Sequence, residues 1–261
     1  MAQVMAPRRR RAQKSDVRVR VEASARADAH AQLRPAVWTT PPIEWYTSFS
    51  VRTTPTLGNQ WLLPRLRGFL DANPDIEFHL NATTEPTDFT REAVDLEIRH
   101  GEGRWPGMFV EGLAEEAFLP VCAPACAAAA SLTAADLPAH RLIHSVKSQV
   151  QWSQWFALAG AIPAVEWRRL LFDRSHMAID AAVDGLGVAL ESTLMMWREL
   201  REGSLVCPVI HPPRVTLTTQ WIVCPFDHLH KATVRLFLDW LRAERVVWQS
   251  QRPPLDGMPT S

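Results

Sequence analysis

The sequence predicts an α/β protein. Short runs in which apolar and polar residues alternate, as in half-buried strands, recur along the chain; apolar stretches of helical period lie between them; and the first such group reads as strand, helix, strand. With 261 residues, 47% hydrophobic and 21% charged, the chain can bury a sizeable core, and no apolar run nears the roughly 20 residues of a membrane span.

Residues 1–46 carry no sustained period and reach Pro41-Pro42 near their end, so a disordered basic segment is expected there. Its nine Lys or Arg (Arg8 to Arg11, Lys14, Arg18, Arg20, Arg26, Arg34) against four acids (Asp16, Glu22, Asp28, Glu44) give +5, leaving −5 for the rest of a chain of zero formal net charge. An acidic body lacks the clustered cations that a phosphate backbone requires. The arginine run by itself supports only salt-sensitive, nonspecific contact with a nucleic acid.

Order is expected from Phe49, where Phe49 and Val51 alternate with Ser50 and Arg52. Thr53-Thr54-Pro55-Thr56 then marks a strand-to-helix junction, with Thr54 suited to cap the helix and Pro55 to its first position. Leu57, Trp61, Leu62, Leu66, Phe69 and Leu70 continue at helical spacing; Pro64 should bend this helix and Asn73-Pro74 end it. Ile76, Phe78 and Leu80 form a second strand, parallel to the first. A short helix is expected near Asp88, then strands at Leu96 to His100, Met108 to Leu113 and Ala117 to Cys122. Trp105, among the glycines of the loop before Met108, reads either as a lid or as a turn packing its ring on the sheet.

The second half alternates helices and strands in the same way, with a short helix capped by Thr133, a strand Leu142 to Ser145, a helix bearing Trp152, Trp155 and Phe156, and a strand Leu170 to Phe172. Ser175 is placed to cap a helix that Gly185 and Gly187 stop before the apolar Val188-Ala189-Leu190. A helix with Leu194, Met195 and Trp197, a strand Leu217 to Val223 and an amphipathic helix with Val234, Phe237, Trp240 and Leu241 complete the body, and residues 246–261 are expected to be a loose tail.

Cys122, Cys126, Cys207 and Cys224 have neither metal-finger spacing nor histidine partners at such intervals, and read as small buried hydrophobes in a reducing compartment. No HExxH, GxSxG, Walker loop or strand-borne GxGxxG occurs, so no catalytic residue, metal or cofactor is expected. No secretory signal follows Met1 to Arg11, and a cytoplasmic protein is expected.

Several stretches, taken in order, resemble one family: Thr54-Pro55-Thr56, Trp61-Leu62-Leu63-Pro64-Arg65-Leu66, Asn73-Pro74-Asp75-Ile76, Asp88 to Gly101, Trp105-Pro106-Gly107, Pro120 to Pro124, Asp136-Leu137, Leu142-Ile143-His144, Ala181 to Leu190 and Gly203 to Val206. Over about Ser48 to Arg245 the chain is similar to the effector-binding domain of LysR-type transcriptional regulators, nearest the glycine-cleavage-system regulator subgroup. The resemblance implies a fold like type 2 periplasmic binding proteins: two α/β lobes joined by two crossover strands, with a ligand between them. Lobe I would be 47–120 plus 224–245 and lobe II 121–223. It further implies a homodimer pairing lobe I with lobe II of the partner through the Leu57 to Phe69 helix. The family's helix-turn-helix finds no match before Phe49, so DNA contact is expected only through a domain missing from or encoded upstream of this chain.

Helix starts present unpaired N–H groups and a positive dipole end. With the resemblance, Thr54 and Thr56 on lobe I and Ser175, preceded by Asp173, on lobe II become candidate contacts for a small, anionic effector, and plain capping is the alternative for Thr54 and Ser175. Arg99 and His100 end a strand on the side where open α/β sheets place ligands, and Ser145 ends another; these complete the candidate set. A free-standing cytoplasmic solute-binding protein and a small hydrolase are the competing functions.

Overall fold

The structure is a computed structural model that describes residues 47–127, 132–161 and 168–251; the expectations for 1–46 and 252–261 lie outside these residues. Strand β1 (Thr47–Thr53) runs into α1 (Pro55–Leu57), a π-helical turn (Gly58–Leu62) and α2 (Leu63–Ala72) as one helical stretch. Pro64 explains the widened turn. A proline has no N–H to give the carbonyl four residues back, and the chain adapts just ahead of it by letting Leu63 N–H bond Gly58 O, five residues back. The expected bend is thus a local change of helical pitch. β2 (Ile76–Ala82) and β3 (Leu96–His100) follow, then β4 (Met108–Gly112) and β5 (Glu116–Val121). The short helix expected at Asp88 is only a turn, in which Asp88 O accepts Arg91 and Glu92 N–H and its side chain accepts Thr90 N–H.

In the second half, α3 (Pro124–Ala127) precedes β6 (Leu142–Ser145), α4 (Trp152–Leu158), β7 (Arg169–Phe172), α5 (Ser175–Val183), β8 (Val188–Ser192), α6 (Trp197–Glu202), β9 (Val215–Leu217), β10 (Gln220–Pro225) and α7 (Ala232–Ser250). Thr133 heads no α-helix: its N–H and hydroxyl both bond Asp136, and a single 3-10 turn follows at Leu137–Ala139. α7 extends past Arg245, so residues 246–250 are helix rather than loose tail, because the Trp248 ring is needed in the core, where it is 1% exposed.

The strands form two five-stranded sheets, ordered β2-β1-β3-β10-β4 and β7-β6-β8-β5-β9. Each contains three parallel strands, β2-β1-β3 and β7-β6-β8, and is finished by two antiparallel pairings, through β10 to β4 in the first and through β5 to β9 in the second. The chain passes between sheets twice, after β4 and after β9. The sheets therefore correct the expected division: β5 belongs wholly to the second sheet and β10 to the first, so the crossings lie at residues 113–115 and 218–219. The single strand expected over Leu217 to Val223 is two strands, each serving a different sheet. An alternating pattern cannot report such a break, since both halves are half-buried strand.

The first sheet packs on its helices through an aromatic cluster: Phe237 of α7 sits 5.2 Å from Phe49, 5.1 Å from Phe69 and 5.5 Å from Phe78. In the second lobe Trp152 stacks on Phe156 at 5.5 Å and donates its indole N–H to Ile143 O. Between the sheets, Trp61 and the buried Met195 and Met196 share one continuous core. Arg65 stacks there on both Trp61 and Trp197, at 4.8 and 4.5 Å.

Where α5 gives way to β8, a Cβ on Gly187 would fall 2.2 Å from the Arg141 carbonyl oxygen. Backbone cannot yield as a flexible side chain does, so Gly187→Ala should destabilise by about 1–3 kcal/mol, the range for overpacking. Urea midpoints check this, and an unchanged midpoint would show that β6 and β8 are not held at this spacing.

Candidate functional site

The start of α1 and the start of α5 both follow the carboxyl end of a parallel strand, the place where open α/β sheets bind ligands. They line one cleft of about 90 Å³ between the sheets, with His100 and Gln220 on the first-sheet side and Ser145, Asp173, Glu116 and Glu191 on the other. A larger hollow of about 580 Å³ borders α7, but its lysine is paired, Lys231 Nζ lying 2.7 Å from Asp95 Oδ1, and it has no buried polar side chain without a partner.

Thr54 holds the N-cap position of α1 without a side-chain cap bond. Thr56 is buried, and its Oγ1 lies 3.1 Å from Nδ1 of His176 on α5, a hydrogen bond across the cleft. Ser175 is the first helical residue, the cap position falling on Arg174, and its hydroxyl meets that of Ser145 at 2.9 Å. The capping roles expected for Thr54 and Ser175 are therefore absent, and loss of either hydroxyl removes no cap. Asp173 pairs with Arg174 at 2.6 Å on the rim.

His100 closes the cleft from the first sheet. Gln220 Nε2 donates to its Nδ1 at 2.9 Å, and the ring hydrogen-bonds the backbone of Lys147 in the other lobe; burial keeps its pKa below the ordinary histidine value. Arg99 must be removed from the candidate set. Successive strand side chains alternate faces, so with His100 at the cleft Arg99 turns away, pairing with Glu97 at 2.8 Å and lying 5.4 Å over Trp105. That contact places the Trp105 ring against Arg99, as in the packed-turn reading, and Trp105 is not among the residues lining the cleft.

Buried carboxylates at the cleft were not anticipated from the sequence. Glu116 accepts hydrogen bonds from the Ser192 hydroxyl and from the Thr219 hydroxyl and N–H, tying β5 to the second crossing. Glu191, fully buried beside it, has its pKa pushed up to about 8, first by burial and further by the Glu116 charge, although the Ser175–Ser145 hydroxyl pair and the Ser192 N–H act in the opposite direction. Glu191 Oε1 and Gln220 Oε1 have no partner. The available signal was a glutamate ending the apolar run Val188-Ala189-Leu190, since glutamate is rarely buried without a specific reason.

Residues 47–245 match the family model described as LysR substrate binding domain. The chain is 39% identical over 196 residues to the HTH-type transcriptional regulator PerR of Escherichia coli K12, covering 74% of this chain and 65% of that protein. It is 31% identical over 206 residues to the glycine cleavage system transcriptional activator of the same strain, covering 78% and 67%. It thus spans about two thirds of these relatives' length. Among solved structures, the effector domain of the transcriptional regulator AmpR of Pseudomonas aeruginosa superposes with a TM-score of 0.67 at 30% identity, over 79% of this chain and 99% of that one.

Proposed function

The chain belongs to the LysR substrate-binding-domain family, and from that premise we propose that its cleft holds a small-molecule effector whose binding fixes the relation of the two lobes. The observation that carries this reading is that the hydroxyls at two helix starts, Thr54–Thr56 and Ser175, are not spent on capping and line one interlobe cleft. An anionic group of the effector is received at these helix starts, where N–H groups and the dipole favour negative charge and Lys147 and Arg174 stand at the margin. Bridging the lobes favours the closed arrangement in which Thr56 reaches His176 and His100 reaches Lys147.

The chain then serves as the effector-sensing part of a cytoplasmic transcriptional regulator, the DNA-reading part lying outside residues 47–245. Binding rather than catalysis is favoured by the regulators it resembles and by its cysteines: burial pushes the Cys122 thiol up to about 12, far from a nucleophile's range. The homodimer belongs to this proposal as well. The α1–α2 stretch turns Leu57, Trp61, Leu62, Leu66 and Phe69 inward, so a partner would meet its outer face, where Leu63 and Leu70 are exposed.

A thermal-shift screen of a metabolite library against wild type, Thr56→Ala and Ser175→Ala tests the site. A metabolite at about 100 times its Kd stabilises by about 2.7 kcal/mol, or roughly 5–10 °C in a domain of this size. Both variants should lose most of that response; an undiminished response in both would place the ligand elsewhere.

A further inference from the structure

We infer that the floor of this cleft is an ammonium subsite, so that the effector carries a primary amino group received by Glu191 Oε1 from the second sheet, with Gln220 Oε1 of the first sheet as a further acceptor. This rests on the reading of the cleft as the effector site and adds a chemical class to it.

Glu191 is 1% exposed and Gln220 2% exposed, both line the cleft, and each has one oxygen without a donor. The amide orientation of Gln220 is fixed by its neighbours. Thr219 gives its hydroxyl proton to Glu116, so the Gln220 group 3.1 Å from that hydroxyl must be the N–H donor; the same NH₂ also serves His100 Nδ1. The carbonyl oxygen is thereby left over by construction. A buried acceptor without a donor costs free energy, and a buried carboxylate costs more. Structures keep such groups when a ligand supplies what is missing.

The missing partner is a donor, and its charge follows from the surroundings. The Ser175–Ser145 hydroxyl pair and the Ser192 N–H already favour the ionised form of Glu191, so what this carboxyl lacks is positive charge: the Glu116 charge acts on it unfavourably, and Glu191 has no ion pair with Lys or Arg among the described residues. Lys147 and Arg174 also line the cleft, while Arg174 is engaged with Asp173. A group with several N–H donors and a positive charge answers both needs. In the free chain burial holds a proton on Glu191 instead; an incoming ammonium releases that proton to solvent and leaves the carboxylate as its counter-ion. Together with the anion-favouring helix starts, the cleft is suited to an effector bearing both charges, of which a free amino acid or short peptide is the simplest form.

The test uses the whole chain, with individual L- and D-amino acids, the matching 2-hydroxy acids, and putrescine as probes, in calorimetric titrations at about pH 7, below the folded-state pKa of Glu191. Amino acids should bind and hydroxy acids bind roughly 10- to 100-fold more weakly, the span of one charge-assisted hydrogen bond. Glu191→Gln, which keeps the side-chain shape, should lower amino-acid affinity by a similar factor and abolish the proton release seen as a dependence of the heat on buffer. Putrescine binding that equals the amino acids' and falls in the same variant keeps the subsite and assigns it to a polyamine. Equal affinity for amino and hydroxy acids that Glu191→Gln leaves unchanged, while Ser175→Ala weakens both, overturns the ammonium subsite but retains the cleft. Failure of every amine to bind overturns the subsite, whereas the metabolite screen still decides the cleft. Circular dichroism of Glu191→Gln separates a lost contact from a lost fold.

Discussion

Glu191→Gln is expected to stabilise the ligand-free chain near pH 8 by on the order of 4 kcal/mol, with the gain vanishing toward about pH 4.5. The Glu191 carboxyl is pushed up to about 8 in the folded chain from an ordinary 4.5. Between those limits the folded chain binds a proton that the unfolded chain has released, so stability falls as pH rises through this window. The gap sets the size, at about 1.4 kcal/mol for each tenfold change in equilibrium. Glutamine keeps the shape, retains an oxygen to accept from the Ser175–Ser145 pair, and cannot ionise. Glu116, His100, Lys147, Asp173 and Arg174 line the same cleft and remain in both proteins, so the difference between the two curves isolates position 191. Urea midpoints between about pH 5 and 9 should diverge with rising pH; parallel curves would mean that Glu191 is solvated or already charge-paired.

Phe237→Ala is expected to cost about 3–5 kcal/mol, the range for removing a buried aromatic ring. The ring is fully buried and lies within 5.5 Å of Phe49, Phe69, Phe78 and Trp240, so the cavity would be walled by rigid groups that collapse poorly. The position matters because α7 comes last in the described chain yet completes the first lobe, after β10 has returned to it. Leu236→Ala on the same helix, with its side chain 49% exposed, is the control and should change stability by less than about 0.5 kcal/mol. A loss below about 1 kcal/mol for Phe237→Ala would contradict the docking of α7 on the first sheet.

The strand-then-helix starts were legible from local signals, alternating Phe49 and Val51 before Thr54-Pro55 and Leu170 to Phe172 before Ser175, while the division into two lobes came with the family resemblance. Those signals also located the two helix starts that share the cleft. What was not legible depends on contacts far apart in sequence. Thr219 binds Glu116 across 103 residues and Thr56 meets His176 across 120, and neither pairing leaves a local period. The crossing after β9 was hidden because Thr218-Thr219 interrupts an otherwise continuous β pattern. Capping was overestimated at Thr54 and Ser175 because residue type at a helix start reports suitability, while the hydroxyl's partner is chosen by the opposing surface. Arg99 was included because a strand end implies a cleft position without saying which of two adjacent residues faces it.

If an effector binds between the helix starts at Thr54–Thr56 and Ser175, a crystal structure of the chain with its best-stabilising metabolite will show it there. The expected result is a ligand between the lobes, with an anionic group at the Thr56 or Ser175 N–H and an amino nitrogen within hydrogen-bond distance of Glu191. A ligand seated outside the interlobe cleft would contradict this assignment.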